Sequence, residues 1–534
     1  MPASPAPVYD YVIVGAGSAG CVLAHRLSED PDVRVLLLEA GPRDRHPFIH
    51  MPAGLAKLVR RRDINWNYDT APEPQLDNRT LWWPRGKVLG GSSSINAMCY
   101  TRGVPRDYDD WATAGATGWG WQDVLPYFKR SEGNTRGGDA LHGADGPLTV
   151  SDLRHVNPLS QRFVEAGRQA GFAVNDDFNG PDQLGVGLYQ VTQRDGARCS
   201  AAVAYLDPAR PRPNLTVQTG ALASRVTFEH GRATGVVYAT ARGAFHQPAT
   251  REVLLCGGAI NSPQLLLLSG IGAADDLRRQ RIGVVHDLPG VGRNLQDHLD
   301  ICTLRQSTQR ISYDRVSDAA VAWRYYLQGR RGPGTSNLAE AGGFVRSPLA
   351  TDARADIQFH FVPALLDDHG RRRLPGDGYT LHACFLRPHS RGRITLVSNR
   401  VSDAPRIEAN YLGDDAGIDF ARMVECARLS RDVLAQPAFD DVRGAAIQPE
   451  ADNLSPQEIA RFVRARAESV YHPAGSCRMG TDALSVVDPQ LRVHGVEGLR
   501  VVDASVMPAL PGGNTNAPVT MIAERAADLI RGRR

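Results

Sequence analysis

A glycine-rich segment between two short apolar runs constrains the fold of this chain more than any other part of the sequence. Residues 11–14 form a compact apolar run, the segment Gly15-Ala16-Gly17-Ser18-Ala19-Gly20 follows, and a helical apolar pattern comes after it. A second apolar run, from Val33 to Leu38, ends at Glu39. This order of strand, glycine turn, helix, strand and acid is typical of a βαβ unit that binds a dinucleotide.

Each glycine of this segment has a physical role. Gly15 permits the tight turn, Gly17 lets the backbone approach a pyrophosphate, and Gly20 lets the helix pack on the strand. The positive end of the helix then faces the phosphates. Glu39 lies 24 residues after Gly15, close to the usual offset of an acid that binds a ribose hydroxyl. The segment therefore predicts dinucleotide binding, although by itself it does not separate FAD from NAD.

Length and charge narrow the class of protein. A chain of 534 residues exceeds the size at which one hydrophobic core keeps growing, so we expect at least two lobes, with a ligand site at their interface. The hydrophobic fraction of 42% and the charged fraction of 22% are those of an ordinary folded protein. The net charge is only +3, and no basic run is interleaved with aromatic residues. We therefore expect no nucleic-acid partner.

The cysteines and the N-terminal residues indicate the expected cellular location. Eight cysteines are scattered along the chain without a C-x-x-C pair or a Cys/His cluster of zinc spacing, so we expect reduced thiols and no metal. Residues 1–7 carry neither a basic region nor a long apolar stretch, so we expect no secretory signal and no transmembrane helix. The expected location is the cytoplasm, and peripheral contact with the inner face of a membrane stays open.

A run of small residues forms the next marked segment. Gly90 to Ser94 lack bulky side chains, while Val88, Leu89 and Ile95 anchor the run on both sides. Such a stretch lets backbone amides lie against a flat or charged ligand. Further along, the aromatic-rich segment of residues 111–128 is expected to pack in a core.

Several motifs together resemble the glucose-methanol-choline (GMC) family of FAD oxidoreductases. Residues 86–96 (GKVLGGSSSIN) and 258–272 (GAINSPQLLLLSGIG) look like that family's signatures position by position. Its further landmarks resemble residues 290–298 (GVGRNLQDH), 471–476 (YHPAGS), 503–508 (DASVMP) and 513–518 (GNTNAP). The resemblance extends from the glycine motif to about Ala526, and it implies an FAD cofactor and an α/β fold that is α+β overall.

The resemblance and the β-like runs at residues 215–220, 223–229, 235–238 and 252–255 predict two domains. A Rossmann-type FAD-binding domain, discontinuous in sequence, is expected over residues 8–110, 205–299 and 470–534. A substrate-binding domain built around a mixed or antiparallel sheet is expected over residues 111–204 and 300–469.

The resemblance also implies residue roles toward FAD. Glu39 would hold the adenosine ribose, residues 86–96 would line the pyrophosphate and the isoalloxazine, and Val226 would meet adenine through its backbone. Asp503 and Ala504 would lie near the ribityl chain and the pyrophosphate. The full set of expected contacts is Gly15, Gly17, Ser18, Gly20, Glu39, Ala40, Arg85, Val88, Gly90, Gly91, Ser92, Asn96, Ala97, Val226, Asp503, Ala504 and Asn516. Some relatives attach FAD through a His at the position of Ile95, which has no nucleophilic atom, so we expect non-covalent FAD.

His472 is the candidate base. Alcohol oxidation needs a group that accepts the hydroxyl proton while hydride leaves the same carbon, and a neutral imidazole suits this near pH 7. As one of fifteen histidines it could be structural, but Tyr471-His472-Pro473 resembles the family's catalytic motif. Asn516, 44 residues later, stands where the family has its second His or Asn, and would donate a hydrogen bond to the substrate oxygen. Since Asn cannot take a proton, one essential base is predicted, and His298 is expected to be structural.

Three segments bear on the substrate. Residues 335–345, 356–361 and 386–388 resemble the bacterial branch of membrane-associated primary-alcohol and choline dehydrogenases. Glu340 could pair with the quaternary ammonium of choline, but we favour a neutral primary alcohol, aliphatic or aromatic. The expected electron acceptor is a quinone or another small molecule, with oxygen as the alternative.

Other classes of function stay open at this point. The family also contains lyases that keep FAD only as structure, a nicotinamide enzyme would share the first motif, and a binding protein would need no chemistry. Bleaching of a flavin by an alcohol separates these hypotheses, because a lyase gives none and an NAD enzyme is colourless.

Overall fold

The computed structural model describes residues 8–58, 61–372 and 374–532, so the expectations for residues 1–7 lie outside the described residues. Two seven-stranded sheets organise the described chain. Together with the helices around them they confirm the α/β, overall α+β, fold class predicted from the sequence.

The first sheet contains the predicted βαβ unit. Its strands follow the spatial order Leu215–Thr219, Val35–Glu39, Tyr9–Val14, Gly243–Leu255, Arg232–Thr240 and Leu222–Glu229, and Leu499–Val501 pairs with the end of Gly243–Leu255. Tyr9–Val14 runs parallel to both of its neighbours. This strand is buried on both faces, which explains its nearly continuous apolar sequence.

One long strand joins a parallel and an antiparallel part of this sheet. The second half of Gly243–Leu255 pairs in parallel with Tyr9–Val14, while its first half pairs antiparallel with Arg232–Thr240. The sheet therefore ends in a three-stranded antiparallel ribbon. The helix Ser18–Leu27 packs against the C-terminal helix Asn516–Arg531, so the glycine motif and the end of the chain lie side by side.

The second sheet is antiparallel throughout, consistent with the predicted mixed or antiparallel sheet. Its strands follow the order Arg443–Gln448, Leu299–Ser307, Gly378–Phe385, Ile357–Val362, Ala341–Val345 and Gly185–Leu188, with Glu468–Ser469 beside Leu299–Ser307. The helix Ile418–Leu434 covers one face, and Thr303 is hydrogen-bonded to Ser430 across that contact. Residues of the opposite face line a large cavity.

Shorter elements connect and cover the two sheets. The remaining helices are Pro47–His50, Leu55–Leu58, Pro105–Thr113, Trp121–Ser131, Pro158–Gln169, Asp207–Ala209, Gly258–Leu268, Ala274–Arg279, Asp318–Leu327 and Pro456–Arg466. The remaining strands are Tyr68–Asp69, Trp82–Trp83, Glu132–Asn134, Leu148–Val150, Gln193–Arg194, Ala197–Arg198, Ile271–Gly272, His286–Asp287, Arg293–Leu295, Gly392–Thr395 and Arg406–Glu408. Within the described ranges, none of the helices is both long and apolar enough to cross a membrane.

The packing differs from the predicted domain division at residues 111–150. Trp111, Trp119 and Phe128 belong to the core of the first sheet, although we placed them in the substrate-binding domain. The helix Trp121–Ser131 packs against Asn516–Arg531, and Arg130 donates to the buried carboxylate of Glu524 at 2.8 Å. An apolar helix face buries itself on the nearest apolar surface, and here that surface belongs to the first sheet. The other domain boundaries stay predictions.

Gly20 provides a test of the close packing between helix and strand. A Cβ atom at this position would lie 1.9 Å from the carbonyl oxygen of Gly15. Gly20→Ala should therefore destabilise the protein by about 1–3 kcal/mol, as overpacking in a core does, and lower the melting temperature.

Gly283→Ala is the matched control, because a Cβ there meets no atom within 4 Å. Equal melting temperatures for the two variants and the wild type would contradict the close contact.

Candidate active site

A cavity of about 1250 Å³ is lined by residues of both sheets. Its lining includes Gly15, Glu39, Ser92, Asp503, His360 and His472. This volume exceeds the roughly 300–1,000 Å³ of a usual small-molecule site, so there is room for a large cofactor and a substrate together.

Two glycine segments meet at one end of the cavity. A Cβ at Gly91 would lie 2.6 Å from the Cα of Gly17, so the run Gly90–Ser94 packs directly on the turn before the helix Ser18–Leu27. At Gly17 itself, a Cβ would meet protein atoms only at 4.0 Å. The protein therefore leaves space at Gly17, at a helix N-terminus where phosphate groups bind well.

Glu39 presents a carboxylate at the cavity wall. Its two carboxylate oxygens accept hydrogen bonds from the backbone N–H groups of Ala16, at 2.9 Å, and Gly41, at 2.8 Å. Burial raises the pKa of Glu39 to about 7, against the lowering effect of these two donors. A ribose hydroxyl donating to this carboxylate would add a third donor and favour the charged form.

The structure places most of the predicted cofactor contacts on this cavity. Its lining includes Gly15, Gly17, Ser18, Glu39, Ala40, Arg85, Gly91, Ser92, Asn96, Ala97, Asp503, Ala504 and Asn516. The Asp503 carboxylate accepts hydrogen bonds from the N–H of Gly258 and the hydroxyl of Ser262, so it also fixes the start of the helix Gly258–Leu268. Whether each residue contacts FAD stays a prediction.

Val226, which the resemblance puts against adenine, does not line this cavity, and its contact with FAD stays a prediction. Its backbone N–H donates to the hydroxyl of Ser269, and its strand pairs with Arg232–Thr240, so its backbone is already engaged. The same strand reaches the cavity three residues earlier, through residues 221–223. Three further members of the predicted set, Gly20, Val88 and Gly90, also lie off the cavity and support it from behind.

Arg198 holds the small-residue segment in place, and the sequence analysis did not identify it. This guanidinium is buried and donates to the backbone carbonyl groups of Ser93 and Asn96 and to the side-chain oxygen of Asn96. Burial lowers the pKa of Arg198 to about 9. More than 100 residues separate it from this segment, so no local pattern could indicate the contact.

His472 also lines the cavity, and both of its ring nitrogens lie near polar partners. Its Nδ1 is 3.0 Å from Nδ1 of His298, and its Nε2 is 3.2 Å from the side-chain nitrogen of Asn514. Its backbone N–H donates to Asp297 at 2.7 Å. Burial lowers the pKa of His472 well below its ordinary value, and the neighbouring His298, His360 and Arg85 lower it further. The imidazole is therefore neutral.

The contact between the two Nδ1 atoms allows one proton between them. For Nε2 of His472 to act as a base, its Nδ1 must carry the proton and donate it to His298. His298 is fully buried, and burial lowers its pKa to about 3, so it is neutral and can accept. It therefore contacts the candidate base directly, a closer role than the sequence led us to expect.

Asn514, rather than the predicted Asn516, contacts His472. The Asn514 side-chain oxygen accepts a hydrogen bond from Gln358 at 3.0 Å, which turns the amide nitrogen toward His472. Asn516 instead accepts from the hydroxyl of Ser18 at 2.7 Å, next to the glycine motif. Residues 513–516 contain two Asn two positions apart, and only the start of the last helix decides which one points at His472.

The chain is similar to known proteins over most of its length. Family models described as GMC oxidoreductase match residues 9–300 and 388–523. The chain is 50% identical to an alcohol dehydrogenase (acceptor) of Pseudomonas putida, over 98% of this chain and 96% of that protein. It is 47% identical to the mitochondrial choline dehydrogenase of Homo sapiens, over 98% of this chain and 90% of that protein.

A solved structure shows the same fold over the whole length. Pyridoxine 4-oxidase from Mesorbium loti superposes with a TM-score of 0.90 at 33% identity, covering 98% of this chain and all of that one. The family models and the full-length relatives show that this chain belongs to the GMC oxidoreductase family, as an alcohol-oxidising flavoenzyme whose cofactor is FAD.

Proposed function

We propose that this enzyme oxidises a neutral primary alcohol, aliphatic or aromatic, to the aldehyde, with His472 as the base. The observation that carries the proposal is a neutral, buried imidazole whose Nε2 faces the cavity beside an amide donor. An alkoxide expels hydride far more readily than a neutral alcohol, so removal of the hydroxyl proton is the step that the protein must supply.

The residues present fit FAD. Gly17 leaves room at a helix N-terminus, Glu39 presents a carboxylate fixed by two N–H donors, and the cavity continues without a break to His472. When bound, FAD supplies the hydride acceptor at N5. Ile95 offers no nucleophile for a covalent link.

His298 positions the base, and Asn514 positions the substrate. His298 accepts the Nδ1 proton of His472 and so directs the lone pair of Nε2 to the cavity. Asn514 donates to the substrate oxygen as negative charge develops there. Since His298 is a neutral partner and not a carboxylate, it stabilises the imidazolium only weakly, so the proton can leave His472 again.

The surroundings of Glu340 favour a neutral substrate. This carboxylate is fully buried, and its oxygens accept from the hydroxyls of Tyr313, Ser336 and Ser160 and from the N–H of Asn157. Tyr313 lines the cavity, whereas Glu340 lies behind it. A quaternary ammonium group would thus not meet the Glu340 carboxylate directly at the cavity wall. Choline is the alternative, because relatives with that activity are also similar.

The proposed electron acceptor is a quinone or another small molecule, with oxygen as the alternative. We place the enzyme in the cytoplasm, and contact with the inner face of a membrane goes with a quinone acceptor. Reoxidation of the reduced enzyme by a soluble quinone and by air, measured side by side, separates the two acceptors.

Replacing the base tests the mechanism. His472→Gln should lower the rate of flavin reduction by an alcohol about 10²–10⁴-fold, because the hydroxyl proton loses its acceptor. Asn514→Ala should lower it by about 10²–10³-fold through loss of the hydrogen bond to the oxygen. The measurement is anaerobic stopped-flow reduction of enzyme whose flavin content has been determined.

Asn516→Ala is the comparison for Asn514→Ala, since its amide is held by Ser18. A larger loss of reduction rate in Asn516→Ala than in Asn514→Ala would contradict the assignment.

The pH dependence of flavin reduction follows from the low pKa of His472. The base must be unprotonated, and burial lowers its pKa well below 6.5. Lowering the pH through 6.5 should therefore leave the rate unchanged, and the rate should fall only at more acid pH as the imidazole becomes protonated. A profile of the reduction rate at saturating alcohol checks this, and a midpoint at or above 6.5 would show that the imidazole is not desolvated.

Substrate charge can be tested with a matched pair. Choline and 3,3-dimethylbutan-1-ol have nearly the same shape and differ in charge. We expect the neutral alcohol to bleach the oxidised-flavin band, at about 450 nm, with a second-order rate constant at least about tenfold higher, because an unpaired cation in the cavity is costly.

Faster bleaching by choline would assign the enzyme to choline oxidation. A yellow protein that neither compound bleaches, nor benzyl alcohol nor a linear primary alcohol, would indicate a lyase of the same family.

A further inference from the structure

Three buried side chains with metal-binding atoms meet on the cavity face of the second sheet. Asp300 and Cys302 alternate along the strand Leu299–Ser307 and so point to the same face. His382 lies directly opposite Cys302 on the neighbouring strand Gly378–Phe385. This cluster has no part in the mechanism proposed for His472.

The ligand atoms of the cluster are close together. Nδ1 of His382 is 2.6 Å from a carboxylate oxygen of Asp300 and 3.1 Å from the sulfur of Cys302, and the sulfur is 3.6 Å from the same oxygen. All three residues are at least nine-tenths buried. His382 also lines the large cavity, which gives an ion a route from solvent.

This set of atoms matches the preferences of zinc. Thiolate, imidazole and carboxylate are its usual ligands, and three protein ligands with an open fourth position are common outside purely structural sites. Around a tetrahedral ion the nitrogen would be about 3.6 Å from the sulfur and about 3.3 Å from the oxygen, so each of these two pairs of ligand atoms must separate by about 0.5–0.7 Å. The charges also balance, because Asp300 and a Cys302 thiolate together neutralise a divalent ion, which keeps the cost of burial low.

We propose that Asp300, Cys302 and His382 form a Zn²⁺ site that opens onto the wall of the substrate cavity. Binding replaces zinc-bound waters with zinc–oxygen, zinc–sulfur and zinc–nitrogen bonds. The S–H bond of Cys302 breaks and its proton goes to solvent, the neutral His382 ring carries its proton on Nε2, and no electrons are transferred. An ion at this site would lie on the same cavity wall as His360, whose ring contacts the Asn514 amide. The bound ion would therefore hinder substrate binding.

A cysteine binds zinc as the thiolate, so its thiol proton must leave when the ion binds. The wild type should consequently release one proton more per bound ion than Cys302→Ser does. This difference identifies the thiol as a ligand, whatever the other ligands contribute.

The experiment uses the FAD-loaded enzyme without added thiols or chelators. Equilibrium dialysis against Zn²⁺ should give one tight ion per chain. Cys302→Ser and His382→Gln should each weaken binding by more than the roughly 10–100-fold that loss of an outer-shell partner costs. X-ray absorption at the zinc edge should show one sulfur ligand in the wild type and none in Cys302→Ser.

Cys426→Ser is the matched control. Cys426 is equally buried but lies on the helix Ile418–Leu434, which covers the opposite face of the same sheet. It should bind Zn²⁺ as the wild type does. The absence of saturable binding, or binding that survives in both Cys302→Ser and His382→Gln, would overturn the site.

Zinc should also inhibit alcohol oxidation competitively in the wild type and in Cys426→Ser, but not in Cys302→Ser. Inhibition of equal strength in Cys302→Ser would overturn the effect on substrate binding. This last readout rests on the proposed function, whereas dialysis, proton release and absorption spectra do not, so failure of the function and failure of the site can be told apart.

Discussion

The first sheet, the helix Ser18–Leu27 and the segment 86–96 approach one another through backbone alone. Gly20 rests on the carbonyl of Gly15, and Gly91 rests on Gly17 at distances that leave no room for a Cβ atom. This backbone contact brings a helix N-terminus and the small residues Gly91 and Ser92 to the same wall of the cavity. The same wall also positions the last helix, because the hydroxyl of Ser18 donates a hydrogen bond to Asn516 at the start of that helix.

The last helix is held by a buried carboxylate. Glu524 is fully buried and accepts from Arg26, Arg130 and the hydroxyl of Tyr205. Three separate parts of the chain are thereby tied to one position on the helix Asn516–Arg531. A buried charge is tolerated only when it is paired and hydrogen-bonded, so this set of contacts also favours one orientation of the helix. That orientation places Asn514 beside His472.

Burial, rather than a charged partner, keeps the His472 imidazole unprotonated. The imidazole has histidines, an amide and a distant guanidinium around it, and all of these disfavour or fail to stabilise its protonated form. A carboxylate in the place of His298 would instead stabilise the imidazolium and raise the pKa of His472. The same burial keeps His298 neutral, so the two rings share one proton and define which nitrogen faces the cavity.

Much of the fold could be predicted from local pattern. The βαβ unit around Gly15 needs glycine, apolar runs and an acid in a set order, and all are neighbours in sequence. The antiparallel second sheet followed from the family resemblance, and it too was found. The helix Trp121–Ser131 was placed in the other lobe, because an apolar face in sequence shows that a helix is buried but not against which sheet. Val226 was expected to meet adenine, but the residues of this part of the chain that line the cavity are 221–223.

The sequence by itself determined that this chain builds a dinucleotide site, that the site belongs to a GMC oxidoreductase, and that His472 is its candidate base. These conclusions rest on short segments whose spacing is sufficient evidence. Only the tertiary structure decided that Asn514 and not Asn516 faces that base, that His298 contacts it, and that Asp300, Cys302 and His382 share a face. Each of these depends on side chains brought together by strand pairing or helix docking across dozens to hundreds of residues, and such contacts leave no local pattern in a sequence.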